Sequence, residues 1–356
     1  MRKTIFGLAG SLVLAIGLVG FGAWRLNIFQ PLEPGPAMSC EAVVGIAGPE
    51  DMEASASDNL VYISSFDRQL QLKTRHMGEG AVRGVIMGFD MADPLLSSNW
   101  HDRTGGLPLA FEPLGISLYE QGDYRRLFVV NGRDNSVLLY DIADNGDLLL
   151  MERFAEPRLT SPNDIVAIGP REFYVSNDLA AGRASLLGRV QFLIGWGGGE
   201  IYYFDGNSWG RAASGLRFAN GLAITDNGRR LIVAETAGKA IFLYDRNPDN
   251  GILTPVGRVP LESFPDNFSW REDGALIIGT HPKPLTLSAH MAKPLSQKAP
   301  SQIIALYFDD SGEVVGSPVL LYQNDGSELS AATVAVRSHN RTIIGALMDN
   351  KFLLCD

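Results

Sequence analysis

Beyond residue 40 the apolar residues fall in short runs separated by Gly, Asn, Asp and Pro, and the spacing of an amphipathic helix is nearly absent. Short apolar runs between turn residues predict β-strands. Two stretches are near copies, RRLFVVNGRDNSVLLYDI at 125–142 and RRLIVAETAGKAIFLYDR at 229–246. Each reads as a strand, a short turn and a second strand ending in Tyr-Asp. Looser copies are EFYVSND with EIYYFDG, ALIIGTH with IIALYFDD, and TIIGALMDNKFLLCD. The first strands of these units begin near 60, 127, 172, 231, 275 and 342, which makes six units. A unit of roughly 40–50 residues holding a few strands is the mark of a propeller blade. The expected fold is therefore all-β, a six-bladed β-propeller over residues 40–356. Its ring is closed by N- and C-terminal strands, NLVYISS from the front and FLLCD from the back. A large β-sandwich or two β domains would use the same strands, but predicts neither six similar hairpins nor joined ends.

One long apolar run stands apart. Ile5–Trp24 carries no charge and follows Arg2 and Lys3. It is long enough to cross a bilayer core of roughly 30 Å as a helix, and the basic residues before it predict an exported body. The run ends in Ala23-Trp24-Arg25, a poor cleavage site. Residues 1–25 thus read as an uncleaved signal anchor. A cleavable signal peptide is the alternative and would leave the protein secreted. Residues 26–39 are Pro-rich and read as a semi-rigid spacer. The expected location is a membrane, reached through the N-terminal helix, with the propeller in a periplasmic, lumenal or extracellular space.

Composition narrows the partners. The 356 residues are 46% hydrophobic and 20% charged, which is globular rather than disordered. A net charge of −10 argues against a nucleic-acid partner. The two cysteines are Cys40 and Cys355. In an exported chain an even count suggests a disulfide, which would clasp the ring shut.

Candidate chemistry lies in SPNDIVAIGPREFYVSND, residues 161–178, where both apolar runs abut Asn-Asp pairs. Turn chemistry explains such pairs, and so does a metal, because carboxylates and amide carbonyls are hard oxygen ligands. Similar positions recur in GPEDM (Glu50, Asp51), SPNDI (Asn163, Asp164), FANGL (Asn220) and FPDNF (Asp266, Asn267). If loops from successive blades meet at one end of the channel, these oxygens suit calcium, which takes six to eight ligands. No His or Cys cluster invites zinc or copper. No G-x-S-x-G, HExxH or phosphate loop is present. GWGGGE at 195–200 reads as a flexible loop, and KPLTLSAHMAKPLSQKAP at 283–300 as an insertion that interrupts a blade with Pro, Lys and Met, or as a disordered loop. His76, His101, His290 and His339 read as solvated loop residues.

Taken in order, GPED, LxxPNDIVAxGPxxFYxxND, FANGLAIT, PDN, GTHP and the two terminal cysteines resemble the paraoxonase/arylesterase family. These are calcium-dependent six-bladed lactonases related to gluconolactonase-like propellers. The resemblance implies two calcium ions. One would lie in the channel on Glu50, Asn163, Asn220, Asp266 and Asn267. The other would be structural, on Asp51, Asp164 and the backbone carbonyl of Ile116. It also implies a Cys40–Cys355 bond. The histidine pair often assigned as base in the family is replaced here by Leu114 and Gly132. His281, in GTHPK, matches a family histidine and is the remaining imidazole, while Asp266 or Glu50 could act as base or nucleophile. The function implied is calcium-dependent hydrolysis of a small lactone or aryl ester. The alternative, fed by the missing histidines, is a strictosidine-synthase-like or non-catalytic propeller with purely structural calcium.

Overall fold

The structure is a computed structural model describing residue 20 and residues 22–356, except 34, 37, 78–81, 93–99, 105–109, 183–184, 226 and 310. Consecutive β-rich runs joined by turns pair antiparallel, and each unit of the repeat folds as a four-stranded meander. Strand β1 (Cys40–Val44) belongs to the last blade. The first blade is β2 (Pro49–Ala54), β3 (Leu60–Ser65), β4 (Val85–Asp90) and β5 (Trp100–Asp102). The second is β6 (Pro113–Gln121), β7 (Tyr124–Asn131), β8 (Ser136–Ile142) and β9 (Leu148–Ala155). The third is β10 (Pro162–Ala167), β11 (Phe173–Asn177), β12 (Gly199–Phe204) and β13 (Trp209–Leu216). The fourth is β14 (Ala219–Ile224), β15 (Arg230–Glu235), β16 (Ala240–Arg246) and β17 (Leu253–Pro260). The fifth is β18 (Phe264–Trp270), β19 (Leu276–His281), β20 (Ser301–Phe308) and β21 (Val314–Asn324). The sixth joins β22 (Ala332–Ser338), β23 (Arg341–Ala346) and β24 (Lys351–Cys355) to β1.

The innermost strands β2, β6, β10, β14, β18 and β22 each touch the next, and β22 returns to β2, so the ring is closed. The core is divided into six apolar slabs between neighbouring blades. Phe128, Val130, Phe173, Val175 and Phe204 fill the one between the second and third. Val61, Phe89, Val334 and Phe352 fill the one that seals the sixth against the first. Each buried aromatic contributes about 2–3 kcal/mol of transfer free energy, and no slab survives without both of its blades. Buried tyrosines add a polar tie at blade junctions. Tyr62 donates to the Gly146 carbonyl at 3.2 Å and Tyr174 to that of Gly251 at 2.6 Å.

Two expectations about strands are corrected. The strand contributed from the front to the closing blade is Cys40–Val44, paired to β24 with Cys40 opposite Cys355 and bonded to it. NLVYISS is instead β3, inside the first blade. The strands beginning near 60, 127, 172, 231, 275 and 342 are the second strands of their blades; the first strands lie upstream. Their apolar pattern is interrupted by polar residues and bulges, which hides them.

Helices are also present. α1 (Arg68–Met77), α2 (Leu186–Ile194) and α3 (Pro284–Ala292) each link the second and third strands of a blade, the first, third and fifth. All three sit at the end where the inner strands begin. GWGGGE starts as the C-cap of α2, with Gly195 left-handed (φ 63°) and its N–H on the Gln191 and Phe192 carbonyls. The 283–300 insertion is ordered as α3 and the turn after it. His290, expected in solvent, is fully buried on α3, with Nδ1 2.7 Å from the Gln297 carbonyl oxygen. His101 and His339 are exposed, and the side chain of His76 lies outside the described residues.

Most of the Ile5–Trp24 run also lies outside the described residues. Among those described, no helix is long and apolar enough to cross a membrane. The segment that follows is docked on the propeller. Asn27 is buried, and its Nδ2 donates to the carbonyls of Glu262 (2.8 Å) and Pro282 (3.2 Å). Lys283 Nζ donates to the Asn27 carbonyl at 2.6 Å.

Candidate functional site

Every inner strand is irregular at the same place. The register slips between Pro49 and Asp51, Pro113 and Ile116, Pro162 and Ile165, Ala219 and Leu222, Pro265 and Phe268, and Ala332 and Val334. A bulge re-aims the side chains beside it and leaves backbone groups unpaired. The polar residues found in the sequence fall in four of these bulges, Glu50-Asp51, Asn163-Asp164, Asn220 and Asp266-Asn267, and all seven are buried. Gly221 permits the close approach of β14 to β18, since a Cβ there would lie 2.3 Å from the Asp266 carbonyl oxygen.

Hydrogen bonds link these side chains across blades. Asn220 Nδ2 donates to Asp266 Oδ1 at 2.6 Å, and Asp266 Oδ2 lies 2.7 Å from His281 Nε2. Asn267 Nδ2 and Thr333 Oγ1 both donate to the Glu50 carbonyl, at 3.0 and 2.7 Å. Asn163 Nδ2 faces Asp178 Oδ2 at 3.5 Å. Deeper in the ring, Asp51 Oδ2 accepts the Ile116 N–H at 2.7 Å and Asp164 Oδ2 accepts the Leu222 N–H at 2.6 Å. Ile116 thus meets Asp51 through its amide nitrogen. Burial, then the neighbouring charges of Asp164 and Glu50, push the Asp51 carboxyl well above the usual carboxylate range. Burial is the first cause of the same upward shift at Asp164.

The structure therefore brings Glu50, Asp51, Asn163, Asp164, Asn220, Asp266, Asn267 and His281 to one end of the channel. Among the described residues no three His, Cys, Asp or Glu side chains form a metal-type cluster. The gathered set mixes carboxylates with amides instead. Asn220 Oδ1 and Asn267 Oδ1 are buried with no hydrogen-bond partner. A buried acceptor left so is costly, and two such amide oxygens in a set with carboxylates fit an oxygen-ligated divalent cation of the calcium type.

Sequence reasoning missed several neighbours. Thr333, in the sixth bulge, holds the Glu50 backbone. Arg68, the first residue of α1, places Nη2 3.8 Å from Glu50 Oε2, and Phe66 lies against both Arg68 and Arg133. None is an Asn, Asp or Glu abutting an apolar strand, the signal that marked the bulge residues, and His281 was marked by GTHP alone. At the two replaced histidine positions, a Cβ on Gly132 would come within 2.9 Å of Leu114 Cδ1, so the buried leucine covers the glycine. A cavity of about 920 Å³ opens at the opposite end of the inner strands among Trp270, Arg271 and Arg337, and none of the candidate residues lines it.

A family model described as Arylesterase matches residues 85–356. Serum paraoxonase/arylesterase 1 of Mus musculus is 27% identical over 344 residues, 93% of this chain and 92% of that protein. Mechanosensory abnormality protein 6 of Caenorhabditis elegans is 29% identical over 255 residues, 69% of this chain and 66% of that one. Among solved structures, a gluconolactonase from Xanthomonas campestris superposes with a TM-score of 0.54 at 15% identity, covering 92% and 99% of the two chains. The calcium-binding protein regucalcin from Agrobacterium tumefaciens gives 0.54 at 11%, covering 91% and 95%. At these identities the structural likeness carries the fold alone.

Proposed function

Because this chain belongs to the arylesterase family and is a hydrolase of ester or lactone bonds, we propose that it works with calcium at the inner-strand bulges and with His281 and Asp266 as its proton-handling pair. The channel ion would be held by Glu50, Asn163, Asn220, Asp266 and Asn267. A second, structural ion would be held by Asp51, Asp164 and the backbone at Ile116. When bound, the channel ion supplies Lewis-acid polarisation of the substrate carbonyl and charge stabilisation for the oxygen of that carbonyl.

The observation that supports the reading best is the double engagement of Asp266, with Asn220 on one oxygen and His281 on the other. With the proton on Nε2, the imidazole donates to Asp266, and Asp266 fixes both its tautomer and its orientation. The other ring nitrogen, Nδ1, is then a lone pair, and it is buried without a hydrogen-bond partner. It can take a proton from an attacking water and return it to the leaving oxygen.

One observation favours the alternative, a strictosidine-synthase-like or non-catalytic propeller with calcium only in a structural role. Leu114 fills the space over Gly132, so the two positions that carry the family's histidine pair offer no proton acceptor. The deciding experiment is hydrolysis of a panel of lactones and aryl esters with calcium, with chelator, and with Glu50→Gln. Turnover lost in the last two conditions supports the channel mechanism. A folded, calcium-loaded protein that turns over nothing on the panel removes it.

A further inference from the structure

We propose that Arg68 is an anion anchor at the channel mouth, and that the substrates of this site are small lactones or esters bearing a carboxylate. The reaction in this proposal rests on the hydrolase reading above, whereas the anion site rests on separate observations.

Arg68 is placed firmly. It opens α1, whose first turn is capped by Asp67 Oδ1 accepting the Leu70 N–H at 2.7 Å. Its Nη1 donates to the Leu347 carbonyl at 3.3 Å, and its guanidinium carbon lies 5.6 Å from the centre of the buried Phe66 ring. The side chain is 14% exposed, so it still reaches solvent. Its Nη2 forms an ion pair with Glu50 Oε2 at 3.8 Å, a distance too long for a hydrogen bond. Arg133, over the same ring, is occupied differently. Its Nη2 serves Gln71 Oε1 at 3.1 Å and the Val82 carbonyl at 3.2 Å, and it pairs with Glu112 at 3.4 Å. Arg133 Nε also lacks a hydrogen-bond partner, but it is buried; of the two Nη2 groups, that of Arg68 is the one without a hydrogen bond.

A tie between α1 and the sixth blade does not account for it. Gln69 Nε2 already makes that tie, donating to the Met348 carbonyl at 2.7 Å, and Arg68 Nη1 adds to it without using Nη2. Nor does a neutral substrate call for it. A guanidinium beside Glu50 would repel a divalent ion on that carboxylate. An anion lying between the two cations removes that repulsion and gains from both. A carboxylate matches the planar N–H fork of arginine, and on a small lactone, across the ring oxygen from the carbonyl, it would orient that carbonyl for the Asn220–Asp266–His281 cluster.

The test compares 5-oxotetrahydrofuran-2-carboxylate with its neutral carboxamide in the calcium-loaded protein, and measures binding of the unreactive tetrahydrofuran-2-carboxylate by calorimetry. The expected result is a preference for the carboxylate of about tenfold or more in kcat/KM, carried by KM. Arg68→Gln should bring the ratio near one and weaken the unreactive carboxylate by a similar factor, with Arg68→Lys recovering part of both. A carboxylate that merely occupies the metal keeps its affinity in Arg68→Gln, and that result overturns the proposal, as does a wild-type ratio near one. If neither lactone is turned over while carboxylate binding still depends on Arg68, the anion site stands and the hydrolase mechanism falls.

Discussion

Oδ2 of Asp266 lies 2.7 Å from Nε2 of His281, joining an inner strand to the strand that follows it. Both residues are buried, and Asn220 holds the other oxygen of the same carboxylate. Replacing His281 by Ala should lower kcat/KM on the best substrate by roughly 10²–10⁴-fold, the usual contribution of a positioned general base. His281→Gln, which can still donate to Asp266, should keep the melting temperature of the parent while losing the same activity. Parent-like turnover in either variant assigns the base elsewhere.

Calcium should stabilise the protein more at pH 8 than at pH 5. The Asp51 and Asp164 carboxyls are raised above their ordinary value of 3.8 by burial, with neighbouring charge adding to it. In the metal-free protein they therefore favour the protonated form more than the unfolded chain does. Their contribution is full below the unfolded value and is lost as pH rises through the folded one. A divalent ion held by this pair, as proposed, would need both ionised, so its effect should grow as protons become scarce. Thermal melts in calcium and in chelator at the two pH values measure this, and an equal or larger gain at pH 5 contradicts it.

The reach of the sequence differs between these two sites and the framework around them. Hairpins such as β7–β8 and β15–β16 were legible because their partners are neighbours in the chain and their strands end alike, at Tyr140-Asp141 and Tyr244-Asp245. The Asn-Asp pairs were legible because oxygen-rich residues against apolar runs are conspicuous. Cys40–Val44 was not, since only Val43 of its five residues is buried and its partner strand lies at the far end of the sequence. The bulges carry no composition of their own. Arg68 and His290 look like surface residues until α1 and α3 are placed over the sixth blade.

Gly132→His alone should destabilise the protein, because a Cβ at 132 meets Leu114 Cδ1 at 2.9 Å. The cost expected is about 1–3 kcal/mol, as for overpacking elsewhere. Adding Leu114→His should relieve the clash and supply two neighbouring imidazoles. We expect the double variant to melt above Gly132→His and to hydrolyse aryl esters faster than the parent. A double variant no more active than the parent would mean that the missing histidine pair does not limit turnover in this chain.

Cys40→Ser should lower the melting temperature under oxidising conditions and abolish its sensitivity to reductant. The bond joins residues 315 apart, and by chain entropy a loop of that length is worth on the order of 5 kcal/mol. Strand β1 also loses its covalent hold on β24, so exchange of its amides should accelerate ahead of those in β22. Equal melting of variant and parent would mean that strand pairing alone keeps the ring closed.

The shared sixth blade makes the timing of synthesis part of the folding problem. Cys40 leaves the ribosome with no partner, and Cys355 follows 315 residues later, which at about 5–20 residues per second is a delay of roughly a quarter of a minute to a minute. Throughout it the blades already made form an open arc, with one apolar flank of the first blade still waiting for the last. A growing chain of this topology has most to gain from a chaperone at its leading edge, where premature pairing with a second copy would be hardest to undo.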